Sequence, residues 1–212
     1  MITPIAGIIL AAGSASRMGR PKQLLDWGGR PLVRVVAEQA LAARLDRVLV
    51  VVGAASDAVA AALADLAVEL IENPAYAEGQ STSLRAGIAA LTPDISAALV
   101  LLGDQPFVSP QIITRIVEEW HASGAAIVAP VYRGQRGNPV LFAQRVFGEL
   151  LAIEGDQGAR TILAADPARV RKVPFDDDRP LADIDTPEDY QRLVRAQSFI
   201  ADGGVRQLTP EN

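Results

Sequence analysis

Short apolar runs alternating with stretches of helical spacing constrain this chain more than any other feature. Residues 5–12, 47–52, 68–71, 97–102, 125–130 and 170–173 are rich in Val, Ile, Leu and Ala. Each is too short to cross a membrane and reads as a buried strand. Between them, Leu32, Val35, Val36, Gln39 and Ala40 follow Pro31 at helical spacing towards Ala43. Residues 58–66 are an alanine-rich helix, and Ser109-Pro110 opens another that runs to Ser123 and stops at Gly124. Strands joined through helices are βαβ units. The expected fold is therefore α/β, a three-layer α/β/α, Rossmann-like arrangement with a mostly parallel sheet covered on both faces.

Less regular stretches fill the remainder. Residues 78–85 read as a polar loop leading into a helix through Ala90, and residues 132–142 as an excursion, a turn-rich hairpin ending in Val140-Leu141-Phe142. Two short helices are expected on either side of residues 155–160, before the late strand at 170–173. Thr186 caps a last helix, with Pro187 at its first position and Asp189 closing the capping box, as far as about Ala196. With no repeat and no linker, residues 1–198 are expected to be one domain and 199–212 a tail.

Bulk properties exclude several classes. The formal charge is −5 and no Lys/Arg tract occurs, which argues against a nucleic-acid surface. No cysteine is present, so disulfides, thiolate metal sites and thiol catalysis are excluded. No basic n-region precedes the first apolar run, so neither signal peptide nor membrane anchor is expected and a cytoplasmic location is. The single histidine, His121, sits late in a surface helix beside Trp120 and reads as structural.

The first strand ends in Gly13, Ser14, Ser16 and Gly19, followed by or interleaved with the cations Arg17, Arg20 and Lys22. Small residues leave backbone N–H groups open to a ligand, and fixed positive charge at a strand's carboxyl end suits a polyphosphate. Five residues separate Gly13 from Gly19, and Arg20-Pro21-Lys22 follows, so this is not a P-loop. Ala15 stands where the dinucleotide fingerprint needs glycine.

Taken whole, Leu10-Ala11-Ala12-Gly13-Ser14-Ala15-Ser16-Arg17-Met18-Gly19 with Lys22 resembles the signature loop of the MobA-like NTP transferase family. That group includes the molybdenum cofactor cytidylyl- and guanylyltransferases and is related to sugar-phosphate nucleotidyltransferases. The resemblance implies the nucleotide-diphospho-sugar transferase type of fold. It also implies that Leu10, Ala11, Ala12, Gly13, Ser14, Arg17 and Lys22 hold a nucleotide. Leu101-Leu102-Gly103-Asp104-Gln105-Pro106 resembles the family's metal-binding segment, and Asp183-Ile184-Asp185-Thr186-Pro187 the segment that supplies a second ligand. Gly103 is thereby placed beside the nucleotide, and Asp104 and Asp185 on magnesium, with Asp183 the substitute for Asp185. Gln80-Ser81-Thr82-Ser83-Leu84 resembles the base-reading loop, which assigns Gln80, Ser81 and Ser83 to the nucleotide; capping by Ser81 is compatible with that role.

Residues Arg136, Gly137, Asn138 and Pro139, with Asp156 and Arg160 of Gly155-Asp156-Gln157-Gly158-Ala159-Arg160, resemble acceptor-side segments of the cytidylyl branch. Ala12, where guanylyltransferases of the group usually carry glycine, also resembles that branch. The implied activity is transfer of CMP from CTP to the phosphate of molybdopterin with release of pyrophosphate, in which Arg17, Lys22 and Asp104 are catalytic. A molybdoenzyme or its maturation chaperone is the implied protein partner, and neither nucleic acid nor membrane is expected. Three other readings stay open: a GTP-using guanylyltransferase, a transferase acting on a sugar or alcohol phosphate, and a non-catalytic cofactor-delivery factor.

Overall fold

The computed structural model describes residues 3–13, 20–156, 158–184 and 186–201, with residues 196–201 by backbone alone. Strands β1 (Ile5–Leu10), β2 (Arg47–Val52), β3 (Glu69–Glu72) and β4 (Ala97–Leu102) lie parallel in the order β3-β2-β1-β4. In β1 and β4 every residue but the last is buried, which is why both read as unbroken apolar runs. Helices α1 (Leu32–Ala42), α2 (Ser56–Leu63) and α4 (Pro110–Ser123) share one core cluster through Val36, Val59 and Ile113. Helices α3 (Gln80–Ala89), α5 (Phe147–Leu151) and α6 (Arg160–Ala165) share another through Leu84, Leu150 and Ile162. The three-layer α/β/α expectation therefore holds.

Local signals fix the ends of α4. The Ser109 hydroxyl oxygen accepts from the Ile112 N–H at 3.4 Å, and Gly124 turns left-handed at φ 60° with its N–H on the Trp120 carbonyl. Thr186 and Asp189 form the expected reciprocal box, each accepting the other's backbone N–H at 3.1 Å. The helix they open, α7 (Pro187–Ala201), continues past the expected stop near Ala196. Residues 202–212 of the expected tail lie outside the described residues.

Two expectations are corrected. The hairpin expected in residues 132–142 forms, Tyr132 pairing with Gln135, but Val140-Leu141-Phe142 beyond it is no excursion from the sheet. After β5 (Ile127–Tyr132) and the short β6 (Gln135–Arg136), β7 (Val140–Ala143) inserts antiparallel between β4 and β5. All four β7 residues are apolar and buried, so an exposed hairpin arm was never available to them. The last strand, β8 (Val170–Phe175), pairs parallel with β5. Residues 80–83, expected as loop, are instead the first turn of α3, for a reason that belongs to the site. Among the described residues no helix is long and apolar enough to cross a membrane.

Candidate active site

Because β1 to β4 are parallel, their carboxyl ends share one rim, and the chain order reverses between β1 and β4. Ligands of open α/β sheets sit at such a switch point. The two strands leave it almost in contact. Gly103 donates to the Leu10 carbonyl at 3.0 Å, and a Cβ on Gly103 would lie 3.1 Å from that same oxygen. Ala12 and Gly13 continue β1 along one side, while Gly103 and Asp104 continue β4 along the other. They border an open cleft of about 720 Å3 that is also lined by Lys22, Gln80, Ser83 and Arg160.

Lys22 opens a single 3-10 turn, Lys22–Leu24, that returns the chain to the rim. Its Nζ stands 3.9 Å from Asp104 Oδ2, with the side chains 21% and 26% exposed. At that separation the gross attraction is about 4 kcal/mol for an effective dielectric constant near 20, most of it opposed by desolvation. A cation and a carboxylate at one edge are therefore held ready for a ligand that carries both a polyphosphate and a metal. Gln23, 7% exposed, donates to the Gly13 carbonyl at 3.2 Å and anchors the near end of the glycine loop.

The second carboxylate segment reaches the same place. Gln105 Nε2 donates to Asp183 Oδ1 at 2.6 Å, and Ile184 is buried with Leu25, Trp27 and Leu32. The segment after β4 that carries Asp104 and the late loop that carries Asp183 are thus tied together. Asp183 is committed to Gln105, and Asp185 lies outside the described residues, as do Ser14 and Arg17. Among the described residues no three carboxylates or histidines gather. One or two carboxylates completed by phosphate oxygens are the usual magnesium arrangement, and Asp104 on the cleft suits it.

The other expected nucleotide residues divide. Leu10, Ala12, Gly13, Gln80, Ser83 and Gly103 line the cleft. Ala11 instead packs into the core, 4% exposed, with its N–H on the Val51 carbonyl. Ser81 is 1% exposed, and both its hydroxyl and its N–H donate to the Gly155 carbonyl, so it neither lines the cleft nor caps the helix, whose N-cap is Gly79. Asn73, not singled out from sequence, orders this wall by donating to Thr82 Oγ1 at 2.8 Å and Ser83 Oγ at 3.0 Å. No such signal marks it in the sequence, because the strand before it, Glu69–Glu72, is mostly exposed and ends in a glutamate. Arg20 lies over the ring of Tyr190 at 5.9 Å, on the last helix.

On the acceptor side, Asp156 and Arg160 reach the cleft, and Asn138 and Arg160 line a smaller apolar recess beside it, walled by Leu84, Val140 and Phe142. Pro139 is buried. Arg136 is exposed on β6, away from both cavities, and Gly137 is wedged where a Cβ would meet Leu181 at 2.7 Å and the Tyr132 ring at 2.8 Å. The Tyr132 hydroxyl, its proton held firmly by burial, donates to the Asn138 carbonyl at 2.7 Å. His121 lies 3.5 Å from the Thr3 hydroxyl and beside the Trp120 ring, and does not line the cleft.

Comparison with known proteins agrees with this fold. Residues 7–171 match the model of the MobA-like NTP transferase domain. Nicotine blue oxidoreductase of Paenarthrobacter nicotinovorans is 32% identical over 90% of the chain and 96% of its own length. Molybdenum cofactor cytidylyltransferase of Escherichia coli is 26% identical over 86% and 92%. Among solved structures, Rv0371c of Mycobacterium tuberculosis is 32% identical with a TM-score of 0.82, covering 91% of this chain and 98% of its own. A second structure of Rv0371c, in complex with manganese, superposes with a TM-score of 0.78 at 31% identity, covering 92% of this chain and 100% of its own.

Proposed function

The chain belongs to the MobA-like NTP transferase family, and from that premise we propose that it transfers CMP from CTP to the terminal phosphate of molybdopterin. The observation that carries the reading is the facing of Lys22 and Asp104, 3.9 Å apart, across the rim where β1 and β4 end. An oxygen of the acceptor phosphate attacks the α-phosphorus of CTP in line. The bond from that phosphorus to the bridging oxygen breaks, and pyrophosphate leaves with the electron pair. Lys22, Arg17 and the loop N–H groups stabilise charge on the α and bridging oxygens. A phosphate monoester, with a second pKa of about 6, is already largely dianionic and needs no strong general base.

Asp104 and Asp185 would hold magnesium, which supplies further positive charge to the phosphates. The manganese complex of Rv0371c supports a divalent metal in this fold. Cytosine preference is supported by Ala12, which borders the cleft where the guanylyl branch usually carries glycine, and by the Escherichia coli relative. The acceptor would lie towards Asn138 and Arg160, and the product would pass to a molybdoenzyme or its maturation chaperone.

The test is pyrophosphate release from each of the four nucleoside triphosphates with reduced molybdopterin and magnesium. Release is expected to be fastest with CTP and to be abolished in Asp104→Asn while the fold, read by circular dichroism, persists. Preference for GTP would overturn the base assignment. Turnover only with sugar or alcohol phosphates would overturn the acceptor, and no turnover with any pair would favour a delivery factor. The name of the Paenarthrobacter relative favours a second reading, an oxidoreductase. Oxidation of NADH or NADPH by a quinone dye, followed in the same preparation, decides between them.

A further inference from the structure

Helix α3 begins at Gln80 without a side-chain cap, because its capping residue is Gly79. The first N–H groups of a helix need acceptors, and here they are met from far along the chain. Asp156 Oδ1 accepts from the Gln80 N–H at 3.1 Å, and the Gly155 carbonyl accepts from both the hydroxyl and the N–H of Ser81. One turn further on, Arg85 Nη1 donates to the Ile153 carbonyl at 3.2 Å. The approach is too close for other residues. A Cβ on Gly79 would lie 2.9 Å from the Gly155 oxygen, and one on Gly158 would lie 2.9 Å from Gln80 Oε1.

We propose that residues 153–156 are a tertiary cap through which nucleotide binding and order on the acceptor side become one event, with Asp156 a positioning residue rather than an acceptor ligand. The inference rests on the reading above, in which the cleft takes a nucleoside triphosphate. Gln80 and Ser83 belong to the first turn of α3 and line that cleft, so a bound nucleotide holds the turn and keeps its N–H groups aimed outward. The segment that docks on those groups leads directly into Arg160, which lines both the cleft and the apolar recess. Whatever stabilises the turn stabilises the docked segment, and by linkage the reverse holds.

Hydrogen exchange read by mass spectrometry tests this on the intact chain, with CTP and magnesium chloride as the probe. In the native protein CTP is expected to slow exchange both in residues 20–25 and in α6, residues 160–165, whose N–H groups are helix donors and which the docked segment leads into, the latter about tenfold, the scale of one retained hydrogen bond. Asp156→Ala is expected to keep the first protection and lose the second. Asp156→Asn, which retains an acceptor oxygen, is expected to restore it, whereas a role resting on charge would not be restored. Ser81→Ala, which keeps the Ser81 N–H and the Asp156 bond, is expected to lose part of it and serves should Asp156→Ala not fold. Protection of residues 20–25 alone in the native chain, or undiminished protection of residues 160–165 in Asp156→Ala, overturns the coupling. Protection nowhere, with CTP or the other three triphosphates, removes the nucleotide reading itself and the coupling with it.

Discussion

Gln105 offers a sharp test of how the two carboxylate segments are held. It is 4% exposed, its Nε2 donates to Asp183 Oδ1 at 2.6 Å, and its Oε1 is buried with no hydrogen-bond partner among the described residues. The bond to a charged acceptor stabilises by about 1.5–3 kcal/mol, and the unpaired oxygen costs about 1–3 kcal/mol. Gln105→Leu removes both and leaves Asp183, which is exposed, to water, so the net change is expected to stay within about 1 kcal/mol. Gln105→Glu sets one carboxylate against another. At about 4 Å and an effective dielectric constant near 20 the gross repulsion is about 4 kcal/mol, partly relieved by separation. With a net loss of about 2–4 kcal/mol and 2–4 °C per kcal/mol for a domain of this size, melting is expected to fall by roughly 4–16 °C at pH 7.5. The sign with pH follows. A carboxyl whose pKa is raised in the folded state binds more protons there than in the unfolded chain, so stability returns as pH falls. Thermal unfolding by circular dichroism at pH 7.5, 6 and 5 should show the Glu variant approaching the Leu variant at the acid end. Equal melting of the two at pH 7.5, or a gap that does not narrow, would refute the reasoning.

Two further outcomes are expected. A Cβ on Gly87 of α3 would lie 2.5 Å from Ile8 Cγ2 in a strand that is fully buried there, so Gly87→Ala should destabilise despite its better helix propensity, by about 1–2 kcal/mol, or a melting drop of about 2–8 °C; unchanged melting would mean that α3 rides further off the sheet. Hydrogen bonds from arginines hold several carboxylates below their ordinary range: Asp65, lowered to about 2 by Arg34, Glu69 by Arg47, Glu149 by Arg169 and Asp177 by Arg179. Depressed carboxylates stabilise above their unfolded pKa and lose that contribution as pH falls through the folded one, so melting temperature should be flat near neutrality and decline from about pH 4 towards pH 2, less steeply in high salt; a rise on acidification would contradict these pairings.

Much of the fold was legible because most of the elements bury a single local pattern. β1, β2 and β4 are apolar on both faces, and α4 carries its start and stop signals in Ser109, Pro110 and Gly124. What could not be read was where β7 goes. Val140-Leu141-Phe142-Ala143 is as apolar as any buried strand, yet a strand of four residues after a tight turn looks the same whether it ends a hairpin or enters a sheet. Its place follows from pairing with both β4 and β5, a property of the whole sheet. Ala97 pairs with Ala143 and Val100 with Val140, and Ile127 with Phe142 and Val128 with Leu141, so it runs antiparallel to both.

The site divides along the same line. Residues whose role depends on their own strand end, such as Gly13, Gly103 and Asp104, stand where the sequence put them, because a polar or small residue straight after a buried strand must emerge at the rim. Residues whose role depends on a distant partner were misread or missed. Residues 80–83 lack a local cap and so looked like loop; the acceptors that make them helix lie at Gly155 and Asp156. Gln23, Asn73 and Gln105 are amides buried at the cleft's margin, and nothing within a few residues of each shows that its hydrogen bonds fix the loop, the wall and the second carboxylate segment. An amide suits that work because it donates without a charge to desolvate, so it can sit beneath a phosphate site without competing with Lys22 or neutralising Asp104. The charged groups of the cleft are therefore left to meet the ligand, while neutral amides behind them set the distances.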